Sequence, residues 1–312
     1  MLERQSNAKA WLYLAPAMLL LIVFTFYPLV NALRLSVLYY IPATGDESAR
    51  VGFTLIGNFY NALTDRMFLV ALKNTAIIVF VSVPISVLVA LLISVSLNSI
   101  KKFQMIFQTV FFLPYVTNAI AVGMAFAFIF NQNYGLFNMI LGWFGIAGID
   151  EPFNWVNAGA TWSSAMFALL VYTVWGGLAF KIMVFLSGLQ SIDKQYYDAA
   201  RIDSTPRWRV FSRITVPLLS PMIMYITITS FIGAFKAYRT IIGMFGVTLA
   251  PPGSLSKDSL ITIVGFVYQE INNINVVHGA EYRAAAAALI LFVITLSFTG
   301  IQVLVGKRRV HY

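Results

Sequence analysis

Between Phe103 and Ile149 the chain runs without one charged side chain, and five other intervals share this property: Ala10–Leu33, Asn74–Ile100, Pro152–Phe180, Ile214–Phe235 and Ala284–Gly306. A helix that crosses a bilayer needs about 20 apolar residues, and each interval supplies that length. The chain is 59% hydrophobic and 11% charged, against roughly 25% charged in an ordinary soluble domain. No single water-soluble globule of 312 residues can hide so much apolar surface, so lipid is the expected solvent. The runs are too long and too evenly apolar for barrel strands, which alternate over short segments. We therefore expect an all-α membrane protein in one domain, 1–312, with spans near 11–33, 71–98, 106–130, 160–189, 215–241 and 284–305. The third interval holds one span and an uncharged loop, because the turn residues "NQNYG" interrupt it at Asn131. The first interval exceeds the roughly 7–15 apolar residues of a signal peptide and reads as an anchor.

Six spans put both termini on one side, and the basic residues choose it. The termini and even-numbered connections hold Arg4, Lys9, Lys101, Lys102, Lys194, Arg201, Arg207, Arg209, Arg213, Lys307, Arg308 and Arg309. Against these twelve stand four acids, Glu3, Asp193, Asp198 and Asp203, leaving +8. The other side carries Arg34, Arg50, Arg66, Lys73, Lys236, Arg239, Lys257 and Arg283 with eight acids, and is neutral. Both termini are expected in the cytoplasm of a cell-membrane protein, with Asp150, Glu151 and 242–283 outside. Anionic lipid then accounts for the basic balance, without nucleic acid.

Chemistry-bearing residues are sparse. Cysteine is absent, and the two histidines, His278 and His311, fall outside the spans; no metal site is expected. No Asp or Glu sits mid-span, which disfavours an ion-coupled secondary transporter, the alternative reading. An intramembrane enzyme would need a nucleophile and base, or metal ligands, at depth. "GKR" at Gly306 lacks the spacing and hydroxyl of a phosphate-binding loop, so the chain is not expected to hydrolyse ATP. Lys181 is read as a cation at the inner end of the fourth span, snorkelling to headgroups. Lys236 and Arg239 are read similarly at the outer end of the fifth.

One segment breaks the apolar pattern. From Asp193 to Arg213, "DKQYYDAARIDSTPRWRVFSR" carries eight charged side chains. Ser191 or Asp193 can cap a short helix whose apolar side is Tyr196, Tyr197, Ala200 and Ile202. Thr205 can cap a second, basic helix with Pro206 at its first position. Small residues Ala199 and Ala200 beside Asp198 suit close approach by another protein.

This segment resembles the cytoplasmic signature of permease subunits in binding-protein-dependent ATP-binding-cassette importers, written EAA---G---------I-LP. Here it reads Asp198-Ala199-Ala200, Ser204 at the glycine, Ile214 at the isoleucine and Val216-Pro217 at the end, with the spacing intact. "GLQSIDKQYY" before it, "ALKNT" at Ala71, "FFLPYVT" at Phe111 and "YPL" at Tyr27 add to the likeness, which points to the carbohydrate branch. The resemblance implies a type I importer permease: six transmembrane helices and a cytoplasmic coupling helix within 191–214. It implies a second homologous permease, two ATPase subunits that bind ATP and Mg, and a solute-binding protein docking on 37–70, 131–160 and 242–283. This chain itself would bind no cofactor and would form half of a pathway for a sugar or oligosaccharide. The ATPase-docking residues would be Tyr197, Asp198, Ala199, Ala200, Asp203, Ser204 and Arg207.

The fourth and fifth spans flank the signature and offer hydroxyls and aromatic faces for a sugar. The candidates are Thr173, Trp175, Gly177, Phe180, Ser230, Ala234 and Tyr238, with Tyr172, Gly176, Gly233 and Phe235 beside them. Thr173, Gly177, Phe180 and Ser230 fall at contacting positions of the maltose-permease pattern; Ala234 and Ala237 stand where that pattern has amides. Two departures touch the signature: Asp198 is one methylene shorter than glutamate, and serine stands at 204, where glycine would readily adopt a left-handed helix end, so Ser204 must either accept that strain or end the helix through Pro206 instead.

Overall fold

The computed structural model describes residues 7–43, 48–100, 103–146, 152–253 and 259–307. Glu3, Arg4, Lys101, Lys102, Asp150, Glu151, Lys257, Arg308, Arg309 and His311, which enter the readings above, lie outside the described residues. Helices Lys9–Ser36, Arg66–Ser99, Trp162–Ser191 and Ala280–Gly306 are each long and apolar enough to cross a membrane. Two bent pairs bring the number to six when each is counted as one span: Gln104–Val116 with Ala119–Ile129, and Arg207–Leu218 with Ser220–Phe235.

The bends correct two expected spans. The third is no single rod over 106–130; its halves meet at 103°. Pro114 sits in the last turn of the first half, and Asn118 caps the second by accepting from the Ile120 N–H at 2.8 Å. The fifth turns by 69° at Leu219, between Pro217 and Pro221, neither of which can donate to a preceding turn. Its helix then ends at Phe235 rather than running on to 241.

Proline also explains three π-helical turns, Ile22–Phe26, Ile78–Ser82 and Phe211–Thr215. Each ends two residues before a proline: Pro28, Pro84 and Pro217. A proline ring clashes with the carbonyl four residues back, and a wider turn removes that clash without ending the helix.

The chain divides into two compact units. One comprises 1–68 and 266–292. In it, strands Leu38–Ile41 and Arg50–Phe53 pair antiparallel, Leu38 opposite Phe53. Buried Asn58, on the Gly57–Thr64 helix, donates to the carbonyls of Ser36 at 2.9 Å and Leu38 at 2.6 Å, fixing the strand to the helix before it. Tyr40 stacks on His278 at 4.6 Å, and Arg283 pairs with Glu270 at 2.8 Å.

The other unit comprises 69–265 and 293–312. Its core packs the second, fourth and fifth spans through Ala90, Leu97, Ile182, Phe185, Leu189, Leu219 and Ile226. Ser94 Oγ, fully buried, lies 3.1 Å from the Ile182 carbonyl and 2.7 Å from that of Ala90. "ALKNT" supplies a second fastening. Asn74 donates to the carbonyls of Ser259 and Ile261, both at 2.9 Å, and accepts from Trp162 Nε1 at 2.9 Å. Thr75 Oγ1 accepts from the Ile263 N–H. The "NQNYG" turn forms as expected, with Asn131 Oδ1 accepting from the Asn133 N–H at 2.9 Å.

Candidate functional site

Two of these helix interruptions, the π turn of the second span and the bend of the third, border one cavity of about 430 Å³. The second span contributes Ser82, Val83 and Ser86, beside its π turn. The third contributes Pro114, Tyr115, Ala119 and Val122, on both sides of its bend. Tyr172, Thr173, Trp175, Gly176, Gly177, Phe180 and Lys181 come from the fourth, around the junction of Trp162–Gly176 and Leu178–Ser191. Thr229, Ser230, Gly233, Ala234, Ala237 and Thr240 come from the fifth span and the turn after it.

Local chemistry holds this wall. Tyr172, buried, donates from Oη to the Ala119 carbonyl at 2.6 Å, tying the fourth span to the start of the third span's second half. That half approaches the Arg239–Phe245 helix through Gly123 and Gly243. A Cβ on Gly123 would lie 2.6 Å from Gly243 backbone, so any side chain there would force the helices apart. Phe180 stacks on Tyr115 with ring centres 5.8 Å apart, and Trp175 lies 5.1 Å from Phe126. Thr173 and Thr229 each donate 2.8 Å to a helix carbonyl, of Leu169 and Tyr225; their oxygens retain acceptor capacity.

Thr173, Trp175, Gly177, Phe180, Ser230 and Ala234 thus share one cavity. Tyr238 does not line it. Residues 230, 234 and 238 share a face only while the helix continues, but the Lys236 and Ala237 N–H groups bond three residues back, to Gly233 and Ala234. The helix tightens and stops, so Tyr238 loses that phase. Phe235 is buried outside the cavity wall.

Lys181 is a larger correction. It is 8% exposed and lines the cavity, instead of snorkelling. The span continues to Ser191, ten residues or about 15 Å further at 1.5 Å per residue, which a lysine stem does not bridge. Its Nζ donates to the Gly177 carbonyl at 2.9 Å. Residues 82, 86, 114, 115, 119 and 122 were also missed, although Pro114 before Asn118 signalled a break. Lys236 and Arg239 are exposed.

The charged segment forms a separate feature. Asp193, not Ser191, caps the Lys194–Ile202 helix, accepting from the Gln195 N–H at 2.9 Å. Asp198, Ala199, Asp203, Ser204 and Arg207 are exposed, whereas Ala200 is 6% exposed, covered by the chain itself. Tyr197 is half-buried, its hydroxyl 3.3 Å from Thr215 Oγ1. Ile202, expected on the apolar side, is 84% exposed, because it lies across the helix end from Ala200.

Ser204 takes φ 51°, the left-handed position itself. The Thr205 N–H bonds the Ala200 carbonyl at 2.9 Å and the Ser204 N–H that of Arg201 at 3.0 Å, the two bonds of a Schellman end. Thr205 caps nothing: Pro206, extended, precedes Arg207, where the basic helix starts one residue later than expected.

Long apolar helices with interruptions at a cavity, beside an exposed charged helix, are the geometry of a polytopic membrane protein. The chain belongs to the family of binding-protein-dependent transport system inner membrane components, which it matches over residues 82–311. It is 32% identical to the lactose transport system permease protein LacF of Rhizobium radiobacter, over 95% of this chain and 94% of that one. It is also 32% identical to the arabinooligosaccharides transport system permease protein AraP of Bacillus subtilis, over 93% and 86%. To the trehalose/maltose transport system permease protein MalF of Thermococcus litoralis it is 28% identical, over 99% and 97%. Its fold matches a chain of a bacterial ABC transporter that imports the acidic polysaccharide alginate, with TM-score 0.73 at 20% identity and 96% of each chain covered. The type I importer permease fold expected from the signature is the fold observed.

Proposed function

We propose that this chain forms half of the membrane pathway for a sugar or oligosaccharide, and that the cavity at the span interruptions is where the solute passes. The cavity carries this reading: aromatic faces of Trp175, Phe180 and Tyr115 suit sugar C–H surfaces, and the hydroxyls of Ser82, Ser86, Thr173, Thr229 and Ser230 suit sugar hydroxyls. The substrates named for LacF, AraP and MalF support the same class. A second, related permease completes the pathway, and an external solute-binding protein delivers the solute to the 37–70, 131–160 and 242–283 segments. The termini and the Lys194–Ile202 helix face the cytoplasm, where two ATPase subunits holding ATP and Mg receive Asp198, Ala199 and their neighbours. Closure of the ATPases rocks the spans between inward-open and outward-open states.

The test is reconstitution of the four-component complex in proteoliposomes with labelled sugars. Uptake that requires ATP, the binding protein and this chain together supports the reading. Sugar uptake driven by an ion gradient without ATPase subunits would instead establish the secondary-transporter alternative. The purified chain alone is expected to turn over no ATP.

A further inference from the structure

Among the described residues the cavity wall carries one charged side chain, Lys181, and no acidic residue lines the cavity beside it. Lys181 has no carboxylate within ion-pairing distance among the described residues, unlike Arg201 with Asp198 or Arg283 with Glu270. An ammonium group has three donors, and one is engaged, by the Gly177 carbonyl. A buried cation without a counter-ion is costly to maintain, and the open space beside this one is where the solute would lie.

We infer that the transported sugar bears an anionic group, a carboxylate or a phosphate, and that Lys181 Nζ is its counter-ion inside the cavity. This rests on the sugar-pathway reading and narrows it to acidic sugars. Several features of the wall agree. The second half of the third span begins at the cavity, at Ala119, and a helix start adds to the positive field there. Gly177 leaves the ammonium unobstructed, since a Cβ at 177 would sit 2.8 Å from Nζ. Hydroxyls and aromatic faces remain for the neutral part of the sugar, so the lysine adds selection by charge to a wall that already suits carbohydrate.

The intact complex tests this in proteoliposomes loaded with ATP, with labelled digalacturonate, glucose 6-phosphate and lactose as probes. The wild type is expected to take up at least one anionic probe in preference to lactose; which of the two separates carboxylate from phosphate. Lys181→Met should lower uptake of that probe about 10- to 100-fold, the effect of one lost charge-assisted hydrogen bond, while Lys181→Arg keeps most of it. Gly177→Ala, which crowds Nζ without removing its charge, should lower anionic uptake more than lactose uptake. Recovery of the assembled complex shows whether each variant folds, and should Lys181→Met not assemble, Gly177→Ala decides. A wild type that carries lactose but neither anionic probe overturns the inference and leaves the sugar reading standing. Wild-type anionic uptake by an assembled Lys181→Met complex overturns it too. Uptake of none of the three probes overturns the sugar reading and this inference with it.

Discussion

The Ser204 turn and the Gly177 junction each interrupt a helix in a chain with little charge, yet they handle charge in opposite ways. At Ser204 the backbone satisfies itself, with two Schellman bonds closing the helix, and the charged side chains around it stay in water. At Gly177 a lysine from the next turn reaches back to the carbonyl at 2.9 Å and is buried. An exposed charge is free to engage a partner and contributes little to folding. A buried charge belongs to the architecture of the cavity and must be answered from within it. The contrast predicts that charge changes near Ser204 act on assembly, whereas changes around the cavity act on the solute.

The largest expected effect follows from Asp198→Lys. The Asp198–Arg201 pair is 3.3 Å apart with both side chains mostly exposed, and such pairs are worth roughly 0–1 kcal/mol, so the chain should fold and insert normally. Reversal at a protein contact can cost several kcal/mol, and recovery of the ATPase subunits in a pull-down should fall about 100-fold or more. Normal recovery would reduce the segment to a basic surface loop.

Tryptophan at neighbouring alanines separates docking from folding. Ala199 is exposed, so Ala199→Trp should weaken ATPase recovery with little change in thermal stability. Ala200 is covered by its own chain, so Ala200→Trp should destabilise the region by about 1–3 kcal/mol, as overpacking does. A thermal-unfolding series on the two variants reads the difference; equal melting temperatures would mean Ala200 is not part of the local core.

Smaller still is Ser204→Gly. A left-handed residue with a Cβ costs about 1–2 kcal/mol, so glycine should strengthen the helix end by up to about that amount. Slower amide exchange at Thr205 would register the gain, and faster exchange would show that Ser204 is not strained. Asn118→Ala, removing the cap at the third span's bend, should cost about 1 kcal/mol and be visible as faster exchange at Ile120.

What was legible in the sequence follows the same division. Charge-free intervals announced the spans, and the spacing from Asp198 to Pro217 announced the exposed helix, because both are properties of residues in contact with lipid or water. Ser204 could be placed at a helix end from the signature, but whether it would adopt positive φ or yield to Pro206 depended on the Thr205 and Ser204 bonds. The cavity was half-readable. Thr173, Trp175, Gly177, Phe180, Ser230 and Ala234 lie on two spans, and the fourth runs on as one long helix through its junction at Gly177, so they share the cavity. Tyr238 was lost where the fifth span's helical phase ends, and Tyr115, Ser82 and Ser86 could not be placed because a 103° bend and a π turn set their directions. Lys181 was misread because position along a helix does not tell which neighbours cover a side chain.

The most direct test of the central claim, that the solute passes through the cavity at the span interruptions, is uptake by an Ala234→Trp complex. Ala234 lines the cavity on the fifth span, outside the charged helix, and an indole there would fill part of the cavity that Phe180 and Trp175 also line. The account predicts that the complex assembles with its ATPase subunits while binding-protein-dependent sugar uptake is lost. Uptake at the wild-type rate by the assembled variant would contradict it and place the pathway elsewhere.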